Sequence, residues 1–102
     1  MATLEEITSR IRDAAASGAG LDRSVKLDLR GEGYIHIDGQ TVTNADAPAD
    51  LVVSISRPDL EALGRRELDP TRAVMSGRMK LSNMGLAMSL APRIQALFAR
   101  AV

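Results

Sequence analysis

Met84-Gly85-Leu86-Ala87-Met88-Ser89-Leu90-Ala91-Pro92-Arg93-Ile94-Gln95-Ala96-Leu97-Phe98 is the stretch that decides the fold. Wound at about 3.6 residues per turn, its apolar side chains cover roughly half of the helical circumference, well beyond the ~100° stripe that one packed face requires. Such a helix has more to cover than a single sheet contact. Pro92 removes an intrahelical hydrogen bond at a cost of ~3 kcal/mol, so the region is either one interrupted helix or two helices with Pro92 opening the second.

Working back from it, Asn83 is a helix cap, and Arg78-Met79-Lys80-Leu81-Ser82 alternates as a strand with Met79 and Leu81 inward. Asp69-Pro70 pairs an N-cap aspartate with a proline at the first helical position, and Gly77 closes that two-turn helix in a left-handed conformation. Ser56 and Asp59 stand at cap and third-position spacing ahead of Leu60 and Leu63, with Pro58 in the permissive first turn, and that short helix ends near Gly64.

Before Ser56 the period is two. Val25, Leu27 and Leu29 oppose Lys26, Asp28 and Arg30, and Ile35 and Ile37 oppose Tyr34, His36 and Asp38, with Gly31-Glu32-Gly33 as the hairpin turn. Asp38-Gly39 gives a second tight turn into Thr41-Val42-Thr43, and the polar loop 44–48 leads to Leu51, Val53 and Ile55. These strands are expected to run on as one antiparallel series. The chain starts with an amphipathic helix from Thr3 to about Ser17, with Leu4, Ile7, Ile11 and Ala14 on one face, Thr3 and Glu6 forming a capping box, and Gly18 and Gly20 ending it.

Composition narrows the function classes. A chain of 102 residues is expected to form a single domain (1–102), and 45% hydrophobic with 25% charged residues is the balance of an ordinary globular protein. The 13 basic and 13 acidic residues cancel, and with only Tyr34 and Phe98 as aromatics there is no stacking platform, so no nucleic-acid partner is expected. The absence of cysteine excludes disulfides, thiolate metal sites and a thiol nucleophile. No stretch reaches the ~18 apolar residues of a membrane span, and the acidic start lacks a signal peptide's character, so a cytoplasmic location is expected.

Few residues invite chemistry. His36 shares a strand face with Asp38, but no nucleophile motif, phosphate loop or metal-ligand pair accompanies it, so it reads as part of a solvated sheet face rather than a general base. Arg65-Arg66 reads as a solvated helix end, the alternative being a contact to phosphate or an acidic headgroup. Met75, Met79, Met84 and Met88 either fill the core or line a pocket that adapts to its ligand, for which the unbranched, polarizable thioether is suited.

The ordered series Ala49-Asp50-Leu51-Val52-Val53-Ser54-Ile55 to Arg66, Leu68-Asp69-Pro70, Val74-Met75-Ser76-Gly77-Arg78-Met79-Lys80-Leu81 and Met84-Gly85-Leu86-Ala87-Met88 resembles the sterol carrier protein type 2 (SCP2) domain, over about Val25 to Leu90. The resemblance implies an α+β fold, with a five-stranded, mostly antiparallel sheet, helices packed on one face and an apolar tunnel between the sheet and the C-terminal helices. It implies binding and transfer of sterols, fatty acyl chains or phospholipids without chemistry and without a cofactor. Carried onto this sequence, it places Met75, Met79, Leu81, Met84, Ala87, Met88 and Leu90 around the tunnel. Ser82-Asn83 stands where such domains often have glycine-aspartate, Ser89 where they often have lysine, and the first hairpin has no tryptophan.

The sequence therefore leads to a non-enzymatic carrier of a lipid-like ligand, such as a fatty acyl chain, phospholipid, sterol or isoprenoid. It would be bacterial, monomeric or homodimeric, and free to touch membranes transiently. The alternative is an interaction module, or an accessory subunit of a lipid-modifying enzyme, whose broad apolar face a partner chain covers. An enzyme built on His36 and Asp38 is the third and weakest reading.

Overall fold

The computed structural model describes residues 3–19 and 21–101. Helix α1 (Leu4–Ala14) begins at the expected capping box, where the Thr3 hydroxyl accepts from the Glu6 amide and the Glu6 carboxylate accepts from the Thr3 amide. The helix does not stop at Ser17 but widens into one π turn (Ala15–Ala19). Gly20, expected to end it, lies outside the described residues, as do Met1, Ala2 and Val102.

Five strands follow: β1 (Leu21–Asp28), β2 (Tyr34–Gly39), β3 (Thr41–Thr43), β4 (Leu51–Ile55) and β5 (Met79–Leu81), in the spatial order β3-β2-β1-β4-β5. Helices α2 (Arg57–Gly64) and α3 (Pro70–Met75) separate β4 from β5, and α4 (Met84–Arg100) closes the fold. The caps are those expected: Ser56 accepts from Asp59, Asp69 from Arg72, and Asn83 from Leu86. At the β1–β2 turn Gly33 has φ +132° and packs so closely on α1 that a Cβ there would meet Leu4 Cδ2 at 2.7 Å. Only glycine suits that place.

One sequence expectation needs correcting. The strands are not a continuous antiparallel series, because β4 pairs with β1 in parallel, Val25 opposite Leu51 and Leu27 opposite Val53, while the other three pairings are antiparallel. The sheet is therefore mixed. Segment 44–50 carries the chain from the β3 edge across to β4 over the face of the sheet turned away from the helices.

Polar residues of that outer face hold the crossing in place. Lys26 Nζ lies 2.6 Å from an Asp46 carboxylate oxygen and 5.4 Å from the Tyr34 ring centre. Asn44 donates to the Tyr34 carbonyl and to Thr8 Oγ1 of α1. His36 Nε2 sits 3.0 Å from the Pro48 carbonyl oxygen, so this half-buried ring holds the crossing strap rather than lying open to water. That hydrogen bond to a main-chain carbonyl gives His36 a structural occupation, and Asp38 beside it is exposed.

The opposite face carries the core. Leu27, Ile35, Ile37, Leu51 and Ile55 from the sheet meet Ile7 and Ile11 of α1, Leu60 and Leu63 of α2, and Leu97 of α4, all essentially inaccessible to water. Each such aliphatic side chain contributes about 1.5–3 kcal/mol by leaving water. With one aromatic ring in it, Phe98, the core depends on interlocking branched chains.

Candidate functional site

Helix α4 is a single element, with Pro92 inside it and exposed, which settles the choice left open at that proline. The ring faces water, and the helix runs through it to Arg100. Leu97 and Phe98 are buried, Gln95 Nε2 donates to the Leu63 carbonyl at 2.8 Å, and Arg10 reaches the Ala101 carbonyl at 3.1 Å.

Two apolar arcs account for the width of the helix's hydrophobic surface. Leu86, Leu90 and Leu97, at helical spacing, pack into or against the core. Met84, Ala87, Met88, Ala91, Ile94 and Phe98 form the adjoining arc, and this one faces a cavity of about 530 Å³. Val53 of β4, Met79 and Leu81 of β5, and Val74 and Met75 of α3 form the facing walls. Ala87 and Ala91 present only methyl groups where longer side chains would close the gap.

Of the seven residues expected around the apolar space, Met75, Met79, Leu81, Met84, Ala87 and Met88 line this one cavity. Leu90 does not; it is 4% exposed and belongs to the core arc. Val74, Ile94 and Phe98 were missed as lining residues, although Ile94 and Phe98 continue the spacing of Met84, Ala87 and Ala91 along the helix. The cavity opens to solvent at its rim, where Met75 is 82% and Met88 72% exposed and Met84 about half so. The inner wall is well packed by contrast, Met79 being 8% exposed. Methionines left in water beside an apolar hollow are not core filling.

A second cavity, of about 660 Å³, adjoins the first and shares Leu63, Pro70 and Gln95 with it. It is the more polar of the two, with Arg66, Arg72, Arg78 and Ser76 beside Leu63, Leu68 and Pro70 in its walls. Arg65, paired with Glu67 at 3.9 Å, is absent from the lining, so the two consecutive arginines part company. Among the described residues there is no group of three or more histidine, aspartate or glutamate side chains placed to hold a metal ion, and no helix is long and apolar enough to cross a membrane.

The apolar hollow thus lies between the five-stranded sheet and the last helix. The model of the SCP-2 sterol transfer family matches residues 4–95. The chain belongs to that family. Sterol carrier protein 2 of the rabbit, Oryctolagus cuniculus, is 40% identical over 53 residues, a stretch that spans 51% of this chain and 10% of that much longer protein. The crystal structure of sterol carrier protein 2 like 2 from Aedes aegypti superposes with a TM-score of 0.71 at 21% identity, covering 87% of this chain and 94% of the mosquito protein. The solution structure of the same mosquito protein in palmitated form gives 0.66 at 21% identity, over 91% and 95% of the two chains. At that identity the two structures speak for a shared SCP-2 fold.

Proposed function

We propose that the protein is a non-catalytic carrier, acting as a single unit in the cytoplasm, that holds one lipid-like ligand in the apolar cavity under α4. The observation that carries this reading is the incomplete closure of the hollow: Met75, Met84 and Met88 stand exposed around it while Ala87 and Ala91 leave its centre unfilled. A cavity of about 530 Å³ lies inside the range of roughly 300–1,000 Å³ usual for small-molecule sites. Family membership supports it, and so does the palmitated state of the mosquito structure.

The six clustered residues Met75, Met79, Leu81, Met84, Ala87 and Met88 would contact the hydrocarbon. Association is driven by removal of apolar surface from water at about 25 cal/mol per Å², with the methionines adapting to chain shape. Nothing in the cavity performs chemistry in this reading, and no cofactor is called for.

Native mass spectrometry with lipid extraction of the purified protein tests it. A stoichiometric fatty acid, phospholipid, sterol or isoprenoid is expected. An apo protein that also fails to take up a fluorescent acyl probe would refute the carrier. The exposed methionine rim favours one other reading, a protein partner seated over the same mouth; a mass by light scattering that rises with concentration, together with absent lipid uptake, would favour it.

A further inference from the structure

We infer that Met75, Met84 and Met88 form a modification site: a peroxide oxidises their thioethers to sulfoxides, and the protein then releases its ligand. The release rests on the carrier reading of the apolar cavity; which sulfurs are oxidised does not.

The first argument is where the sulfur lies. The chain has five methionines and no cysteine, so no thiol of its own competes with the thioethers for an oxidant. Four of the five, Met75, Met79, Met84 and Met88, line the apolar cavity, and Met1 lies outside the described residues.

The second is access. Met75 is 82%, Met88 72% and Met84 49% exposed, whereas Met79 on β5 is 8% exposed. A small oxidant reaches the three rim side chains directly from water, and Met79 only when the packed wall opens.

The third is that the fold tolerates the change while the site does not. Met79 belongs to the buried core; the three rim methionines neither belong to it nor pack against it. A sulfoxide oxygen at the rim therefore stays hydrated in the ligand-free protein. Against a bound hydrocarbon chain the same oxygen loses water, which costs free energy unless a donor replaces it. Of the lining side chains only Thr71 and Gln95 can donate, and Gln95 already donates to the Leu63 carbonyl.

The chemistry balances with one peroxide per sulfur. A thioether lone pair attacks one peroxide oxygen, the S–O bond forms as the O–O bond breaks, and the departing hydroxide takes the remaining proton to leave as water. Sulfur gives up two electrons and the peroxide gains them. Methionine sulfoxide reductases reverse the step, one enzyme for each epimer, so the rim can be reset.

The test treats the purified protein with hydrogen peroxide, follows each methionine by peptide mass spectrometry, and measures NBD-labelled stearate binding and thermal unfolding before and after. Met75 and Met88 are expected to gain oxygen first, Met84 next and Met79 last. Once the rim is oxidised, stearate affinity should fall about tenfold or more, with the melting temperature moved by less than about 4 °C. Sulfoxide reductases should restore the affinity. In a variant carrying Met75→Leu, Met84→Leu and Met88→Leu, whatever its starting affinity, peroxide should leave that affinity where it was. Met79 oxidised as fast as Met75, stearate affinity unmoved by rim oxidation, an equal loss in the leucine variant, or a loss that tracks unfolding would each overturn the inference and leave the carrier standing. Untreated protein that takes up no stearate would instead overturn the carrier reading, and ligand release with it.

Discussion

Replacing Met88 by glutamine separates a cavity wall from a core position. Met88 is 72% exposed in the folded protein, so folding has buried little of it, and most of its transfer free energy is still available to a ligand. Full burial of a methionine is worth about 1.5–3 kcal/mol. Scaled by the exposed fraction, ligand contact recovers about 1–2 kcal/mol, and its loss should weaken binding about 5- to 30-fold. Stability should hardly move, because methionine and glutamine have similar helix propensity and no packed partner is lost. Leu97, 1% exposed on the same helix, supplies the contrast: Leu97→Ala should cost about 2–5 kcal/mol, and each kcal/mol lowers the melting temperature of a domain this size by roughly 4–8 °C. Fluorescence titration with an NBD-labelled stearate, paired with thermal unfolding followed by circular dichroism, reads both quantities. Undiminished affinity in a protein as stable as wild type, or a drop of more than about 5 °C in melting temperature, would refute the reasoning.

Ala91→Trp should fill the centre of the cavity and abolish acyl-probe uptake without unfolding the protein, since Ala91 is exposed to the hollow; retained uptake would put the ligand elsewhere. Gly33→Ala should destabilise by roughly 1–3 kcal/mol in urea titration, because φ +132° is closed to other residues and the new Cβ would press on Leu4. The hydrogen bond that Lys26 donates to the Asp46 carboxylate raises the Lys26 pKa above its ordinary 10.5, so the lysine's share of the pair's contribution is complete below pH 10.5 and is lost as pH climbs through the higher folded value. Urea midpoints of wild type and Asp46→Asn should therefore differ by a constant amount from neutral pH to about pH 9 and converge in strong alkali; a gap that persists there would mean the loop is held by something else.

What could be read from the sequence was what is decided locally. Thr3 with Glu6, Ser56 with Asp59, Asp69 before Pro70, and Asn83 each settle a helix start within four residues, and the alternation through Ile35 and Ile37 settles which strand face is buried. Strand direction is not local: Leu51, Val53 and Ile55 alternate the same way whether β4 lies parallel or antiparallel to its neighbour. The deciding contacts join positions far apart, Asp46 to Lys26 and Pro48 to His36. The candidate site was legible to the extent that six of the residues named from sequence share one cavity. Leu90 went astray because a half-apolar wheel does not say which of its two arcs meets the core. The second cavity was not legible at all, since Arg66, Arg72 and Arg78 come from an α2 terminus, α3 and the approach to β5, and only the fold gathers them.

The strand order has a bearing on how the molecule survives at high concentration. Its two outermost strands, β3 and β5, are three residues each, the shortest of the five, and the long strands β1 and β2 lie inside the sheet, bonded on both sides at residues 25–28 and 36–37. A border strand of three residues is a poor template for a foreign strand, so the two ends of the sheet offer little for edge-to-edge stacking of copies. The apolar rim of Met75, Met84 and Met88 is thus exposed without a long adhesive strand border at the ends of the sheet.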